Sequence, residues 1–377
     1  MKAVATPAAA LESALAGRGI LVVCGSGGVG KTTTAAALGL AAALRGRRVL
    51  VCTIDPSRRL ATSLGLSRLT ERPRPLDLRR LGRTADGGSM SAMMLDTKRT
   101  FDALVERHAG SAEARDRILG NRFYKQVSSA LAGSHEYMAM EKLLELSQDE
   151  RFDLVVLDTP PTRHALDFLE APDRLTSFLD TSVLRYFLRP YFAAGRLTLK
   201  VATRTGAAAL RLADRYLGLQ FLQDLSEFFL AFEGMYDGFK ERAARVHELL
   251  RQDRTAFVLV TSPARTALNE ALYFHERLRE KGMPFVAFLV NRVHPGAGRR
   301  AKAAARTAMG GGAKVEKDLS TALAEILREE QKLAASERRA IARLSVDTGA
   351  PVVLVPELDT DVHDLRGLRD FGKAVFP

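Results

Sequence analysis

The stretch "CGSGGVGKTTT", Cys24 to Thr34, decides how this sequence is read. Gly25, four further residues, then Gly30-Lys31-Thr32 is the spacing of a phosphate-binding loop. Its context is right on both sides. The apolar run "GILVVCG" (19–25) precedes it, and an Ala-rich helical stretch follows. Glycines let the backbone wrap an anion with its N–H groups turned inward. A helix starting near Lys31 adds its positive end. On this reading Gly27, Gly28, Val29, Gly30, Lys31, Thr32 and Thr33 cradle the phosphates of ATP. Lys31 bridges the β- and γ-phosphates, and the Thr32 hydroxyl binds Mg²⁺ directly.

Working outward, short apolar runs recur between helical stretches: "RRVLVCTID" (47–55), a weaker "SMSAMML" (89–95), "FDLVVLDTP" (152–160), "AFVLVTSP" (256–263), "PFVAFLVN" (284–291) and "APVVLVP" (350–356). Such runs suit parallel strands buried on both faces. Their alternation with helices predicts an α/β fold: a doubly wound, mostly parallel sheet of about seven strands on one domain, residues 1–377. Two inserts, 97–148 and 164–250, hold no convincing strand and are expected to form an all-α subdomain. In the second, Phe221, Leu225, Phe228, Phe229, Phe232, Met235, Tyr236 and Phe239 follow helical spacing. Two readings stay open for them: the core of a bundle, or a groove for an apolar client helix. Residues 181–213 carry six basic residues and no acid, and read either as a mobile basic lid or as a solvated helix–loop surface.

Phosphoryl transfer to water needs a carboxylate near the metal and another near the attacking water. Asp158 closes "LVVLD" and is placed to support Mg²⁺. Asp55 closes "VLVCTID" and is placed to act in catalysis beside Lys31. Asp55 also reads as a helix N-cap with Pro56 at the first helical position. Both roles are compatible at the carboxyl edge of such a sheet.

Composition narrows the class. The chain has 377 residues, 46% of them hydrophobic, which supports a sizeable core. Two cysteines, Cys24 and Cys52, exclude a disulfide framework and read as buried small residues in a reducing cytoplasm. No run reaches the ~18–20 apolar residues of a membrane span, and the Ala-rich N-terminal stretch lacks a signal-peptide core. The formal charge of +12 fits nucleic acid or an anionic membrane surface. The basic residues are scattered, however, and no nucleic-acid motif appears. The expectation is no specific nucleic-acid partner and at most peripheral membrane contact.

These motifs resemble the arsenical pump ATPase family, which includes the ATPases that target tail-anchored membrane proteins. "GSGGVGKTTTAAALGLAAALRGRRVLVCTIDPSRRLATSLG" is similar to its P-loop and first switch, and "FDLVVLDTPPTRHALDFLEAP" to its second switch. "FVLVTSP", "FLVNRVHP" and "VVLVPELDTDVHDLRGL" resemble its adenine-side segments. The resemblance implies that Asp55 orients the attacking water and that the Pro161-Thr162 backbone senses the γ-phosphate. It further implies that Asn291 reads adenine and that the chain around Pro356 closes over the base. Asn291 also reads as a strand-end turn residue.

The departures are specific. The family's signature P-loop lysine, which reaches a partner's nucleotide across a dimer, is replaced by Ser26, at a position expected to be exposed in the monomer. The interfacial Cys-x-x-Cys and the arsenite-binding cysteines are absent. The missing charge is expected either from a lysine-bearing paralogue in a heterodimer or from a local arginine, Arg58, Arg59 or Arg163. The resemblance thus implies a cytoplasmic, Mg²⁺-dependent, nucleotide-switched dimer, homo- or heterodimeric. The alternatives are a partition-type ATPase acting on DNA and a low-turnover regulatory scaffold.

Overall fold

Every apolar run named above forms a strand. In this computed structural model residues 7–55, 57–81, 87–122, 124–125, 134–160, 224, 228, 235–296 and 314–377 are described. Their contacts divide into two compact units.

The first unit comprises residues 1–94, 147–166 and 250–377. Its strands are β1 (Ile20–Gly25), β2 (Arg48–Thr53), β3 (Arg74–Pro75), β4 (Ser89–Met94), β5 (Leu154–Asp158), β6 (Thr255–Thr261), β7 (Phe285–Val293) and β8 (Val352–Pro356). They lie in one sheet in the order β3-β4-β2-β5-β1-β6-β7-β8. All pairings are parallel except β3 with β4. The α/β reading therefore holds, with eight strands where about seven were expected. The additional β3 is only two residues long, carries Pro75 and sits at the edge, where a missing N–H is tolerated. It has no apolar run to announce it.

Burial follows position in the sheet. Every residue of β1, β5 and β6 is buried, whereas β4 and β8 alternate more. The continuous apolar runs are the central strands, covered on both faces. Helices of this unit include α1 (Pro7–Gly17), α2 (Lys31–Leu44) and α3 (Arg59–Ser63). The Ala-rich α2 is buried along most of its length, and small side chains let it lie close to the sheet. A Cβ on Gly39 would overlap Val51 of β2.

The second unit comprises residues 95–146 and 167–249. Its helices include α4 (Thr97–His108), α5 (Ala112–Gly120), α6 (Ser134–Leu146) and α7 (Tyr236–Arg251, which runs two residues past the unit boundary). Asp96 caps α4 by accepting from the Arg99 N–H, and Ser111 caps α5 through Ala114. Phe101, Leu104, Tyr124, Tyr137, Phe228, Met235 and Phe239 share one core. Of the Phe-rich stretch, Phe228, Met235 and Phe239 are thus core residues, as the bundle reading expects. Phe221, Leu225, Phe229 and Phe232 lie outside the described residues, as do residues 181–213.

The remaining helices belong to the first unit: α8 (Arg265–Glu280), α9 (Lys314–Thr348) and α10 (Leu365–Val375). No described helix is long and apolar enough to cross a membrane.

Candidate active site

The site forms at the carboxyl ends of β1, β2 and β5, where the central strands deliver their loops to one place. Gly30 leads into α2 with φ 96°, a left-handed conformation natural to glycine, and offers no side-chain cap. The first N–H groups of α2 are therefore left for another acceptor, as an anion would provide. A Cβ on Gly30 would also overlap the Asn291 amide, so the sequence has little choice there.

Lys31 is buried, and its ammonium donates to the Ser26 carbonyl at 2.8 Å. Burial lowers its pKa from the ordinary lysine value, with Asp158 acting in the opposite direction. Beneath the loop, Asp158 is fully buried. The Thr53 hydroxyl donates to its Oδ2 at 2.9 Å, and Thr32 is also within hydrogen-bonding reach. Burial pushes the Asp158 carboxyl up to about 6, and the bonds from Thr32 and Thr53 and the charge of Lys31 restrain the rise. Its Oδ1 is buried without a hydrogen-bond partner.

That orphan oxygen is the test of whether a metal ion fits. A hard divalent cation takes oxygen ligands, and Mg²⁺ keeps several waters while using one or two protein groups plus substrate phosphates. A hydroxyl, Thr32, and a carboxylate with a free oxygen, Asp158, beside a phosphate loop match that donor set.

Asp55 follows β2. Its Oδ1 accepts from the Ser57 N–H at 2.8 Å, and its own N–H donates to Thr53 Oγ1 at 3.2 Å. The N-cap alternative is corrected here: α3 begins at Arg59 with Arg58 in the cap position, so Asp55 closes a tight turn ahead of the helix. The turn leaves its carboxylate on a cavity of about 480 Å³ lined by Gly28, Gly30, Lys31, Thr32, Thr33, Asp55, Arg58, Arg59, Thr62, Ser63, Thr159 and Arg292. Four cations face a single acid there, an arrangement that concentrates anions.

A second, larger cavity of about 1170 Å³ adjoins the loop on its other side, where Ser26, Gly27, Gly28 and Val29 meet the start of α8 and one face of α9. Asn291, Pro356 and Asp158 line neither cavity. Asn291 is buried behind the loop. Its Nδ2 donates to the Val29 carbonyl at 2.9 Å and its Oδ1 accepts from the Arg292 N–H at 2.9 Å. Pro356 ends β8 opposite Val293. Pro161, Thr162 and Arg163 lie outside the described residues.

Ser26 corrects another expectation. It is buried, not exposed, and its hydroxyl has no hydrogen-bond partner. The crest of the loop is Gly27-Gly28, while Ser26 is still leaving the strand. Cys24 and Cys52 are buried free thiols, as read from the sequence. Burial pushes the Cys24 thiol up to about 12, which suits a packing role.

A family model described as anion-transporting ATPase matches residues 18–345. The chain belongs to this family. Its activity is accordingly ATP hydrolysis. ATPase GET3C of Arabidopsis thaliana is 24% identical over 372 residues, covering 93% of this chain and 81% of that protein. A putative arsenical pump-driving ATPase 1 of Aquifex aeolicus is 25% identical over 285 residues, 73% of this chain and 63% of its own length. ATPase get3 of Aspergillus terreus is 29% identical over 163 residues, 42% of this chain and 44% of its own.

For an anion-transporting ATPase the phosphate loop and the two carboxylates were legible in advance. Thr53, Thr159 and Arg292 were not. Thr53 ends β2 two residues before Asp55, and that place at the carboxyl edge of the sheet is the one signal that could have flagged it. Thr159 donates from its hydroxyl to the Val23 carbonyl at 2.9 Å, a tie that only the β1–β5 pairing creates.

Proposed function

We propose that this ATPase binds MgATP with its triphosphate in the smaller cavity and works as a nucleotide-switched dimer acting on a partner protein. The observation that carries the reading is the meeting of Lys31, Thr32 and Asp55 on a strongly cationic cavity directly above Asp158. Lys31 would exchange its bond to the Ser26 carbonyl for phosphate oxygens. The N–H groups at the start of α2 and the glycine backbone would hold the same anion. Thr32 and Asp158 would hold Mg²⁺, which neutralises phosphate charge when bound. Asp55 would orient the attacking water and accept its proton.

Dimer formation, a lysine-bearing paralogue and an apolar client segment are parts of the proposal supported by the family membership and by Ser26 standing where the signature lysine belongs. A cytoplasmic setting is supported by the two buried free thiols.

The test is turnover of the purified chain with ATP, with and without Mg²⁺, together with its native mass in ATP and in ADP. Mg²⁺-dependent release of phosphate and an ATP-dependent change of mass are expected. Turnover indifferent to Mg²⁺ would sink the assignment of Thr32 and Asp158. A monomer in both nucleotides, alone and with a paralogue, would sink the dimer.

A further inference from the structure

Arg292 is the one non-glycine residue with positive φ among the described residues, at 57°. It lies near the end of β7, where the pairing with β8 shifts register between Val290 and Val293. Asn291 and Val293 on either side are buried while Arg292 is exposed. A long side chain in the left-handed region is strained and persists only where its surroundings impose it. Here the surroundings are the phosphate loop itself. The same Asn291 amide that accepts from the Arg292 N–H donates to the Val29 carbonyl, both at 2.9 Å. The strained turn is thereby tied to the loop through one side chain.

The outcome is positional. Arg292 and Gly28 are the two residues that line both cavities flanking the loop. No carboxylate among the described residues pairs with the Arg292 guanidinium. A free guanidinium on an anion cavity presents a planar fork of donors that matches phosphate oxygens. Arg58 and Arg59 line the same cavity from the cap and the start of α3, on the segment that follows Asp55. Arg292 differs in being fixed to the sheet and to the loop.

We propose that Arg292 contacts the polyphosphate of bound ATP directly and supplies, from within the same chain, the cation that the loop lacks at Ser26. The inference rests on the reading of the smaller cavity as the triphosphate site. It makes Arg292 a catalytic residue missed by motif reading, because its signal is a backbone angle.

The experiment titrates MgATP and MgADP against the intact chain and against Arg292→Gly, Arg292→Asn and Arg292→Lys, with turnover measured on each. Glycine takes a positive φ at no cost and asparagine tolerates it, so both remove the guanidinium while leaving the turn. Loss of MgATP affinity by about tenfold or more is expected for both, as a charge-assisted contact is removed. The preference for ATP over ADP should narrow, turnover should fall, and Arg292→Lys should recover part of each. Melting of the nucleotide-free chain should not fall for either, because both tolerate the positive φ. MgATP affinity within about twofold of the intact chain, with turnover preserved, would overturn the inference. Lys31→Ala in the same titration separates the two claims. If Lys31→Ala binds MgATP normally, the cavity assignment fails and the inference with it. If Lys31→Ala loses binding and Arg292→Gly does not, only the inference fails.

Discussion

The Lys31 ammonium donates to the carbonyl of Ser26 at 2.8 Å, so the phosphate loop is closed on its own lysine. A buried ammonium needs an acceptor, and without an anion the loop's carbonyl is the one it takes. Binding of phosphate then exchanges one bond for stronger, charged ones. Lys31→Ala should weaken MgATP binding by more than about tenfold. Isothermal titration checks it. The nucleotide-free chain should lose little stability, because an unfavourably buried charge leaves with the bond.

Asp55 holds a turn with one carboxylate oxygen and faces the cavity. Asp55→Asn preserves an acceptor for the Ser57 N–H and removes the base. MgATP affinity should stay within about twofold, and single-turnover hydrolysis should fall by about 10²-fold. If instead hydrolysis survives and thermal stability drops, the residue serves the turn alone.

Asp158 makes stability depend on pH in a definite direction. Burial pushes its carboxyl up to about 6 in the folded chain, above the ordinary aspartate value of 3.8. Between those values the native state holds a proton that the unfolded chain has released. This group's contribution to stability is therefore full below about pH 4 and is lost as the pH rises to about 6. Mg²⁺ affinity should run the other way and rise across the same window, since the ion needs the carboxylate. Asp158→Asn should stabilise the nucleotide-free chain above pH 6 by on the order of 2–3 kcal/mol and abolish Mg²⁺-dependent turnover. Denaturation curves at pH 4 and pH 7 on both proteins check the sign.

In the helical unit, buried Glu141 pairs with Arg242 and accepts from the Tyr137 hydroxyl at 2.6 Å. Arg242→Ala strands a carboxylate in the interior and should cost about 3–5 kcal/mol. The double change Glu141→Gln with Arg242→Met should cost clearly less, because no unpaired charge remains. Urea unfolding of the two variants distinguishes a charge effect from a packing effect.

Much was determined by the sequence alone. Short apolar runs bounded by turn residues read as buried strands, so seven of the eight strands were legible, the Met-rich β4 least plainly. Glycine spacing before Lys31-Thr32 specified the phosphate loop, because few other residues can make that turn. Asp55 and Asp158 were legible because each closes such a run. Tertiary structure decided the rest. The order of strands in the sheet brings Thr53 onto Asp158 and Thr159 onto Val23, pairings separated by more than a hundred residues. Packing turned Ser26 under the loop, although Gly27 and Gly28, which follow it, are exposed. The helical spacing of Phe228, Met235 and Phe239 could not tell a core from a groove, since both present one apolar face, and the contacts with Phe101 and Tyr137 identified the core. Arg292 was invisible for a similar reason. Its identity is ordinary, and only the folded backbone, with Arg292 at a positive φ beside Asn291, carries it to the cavity that Lys31 and Asp55 also line.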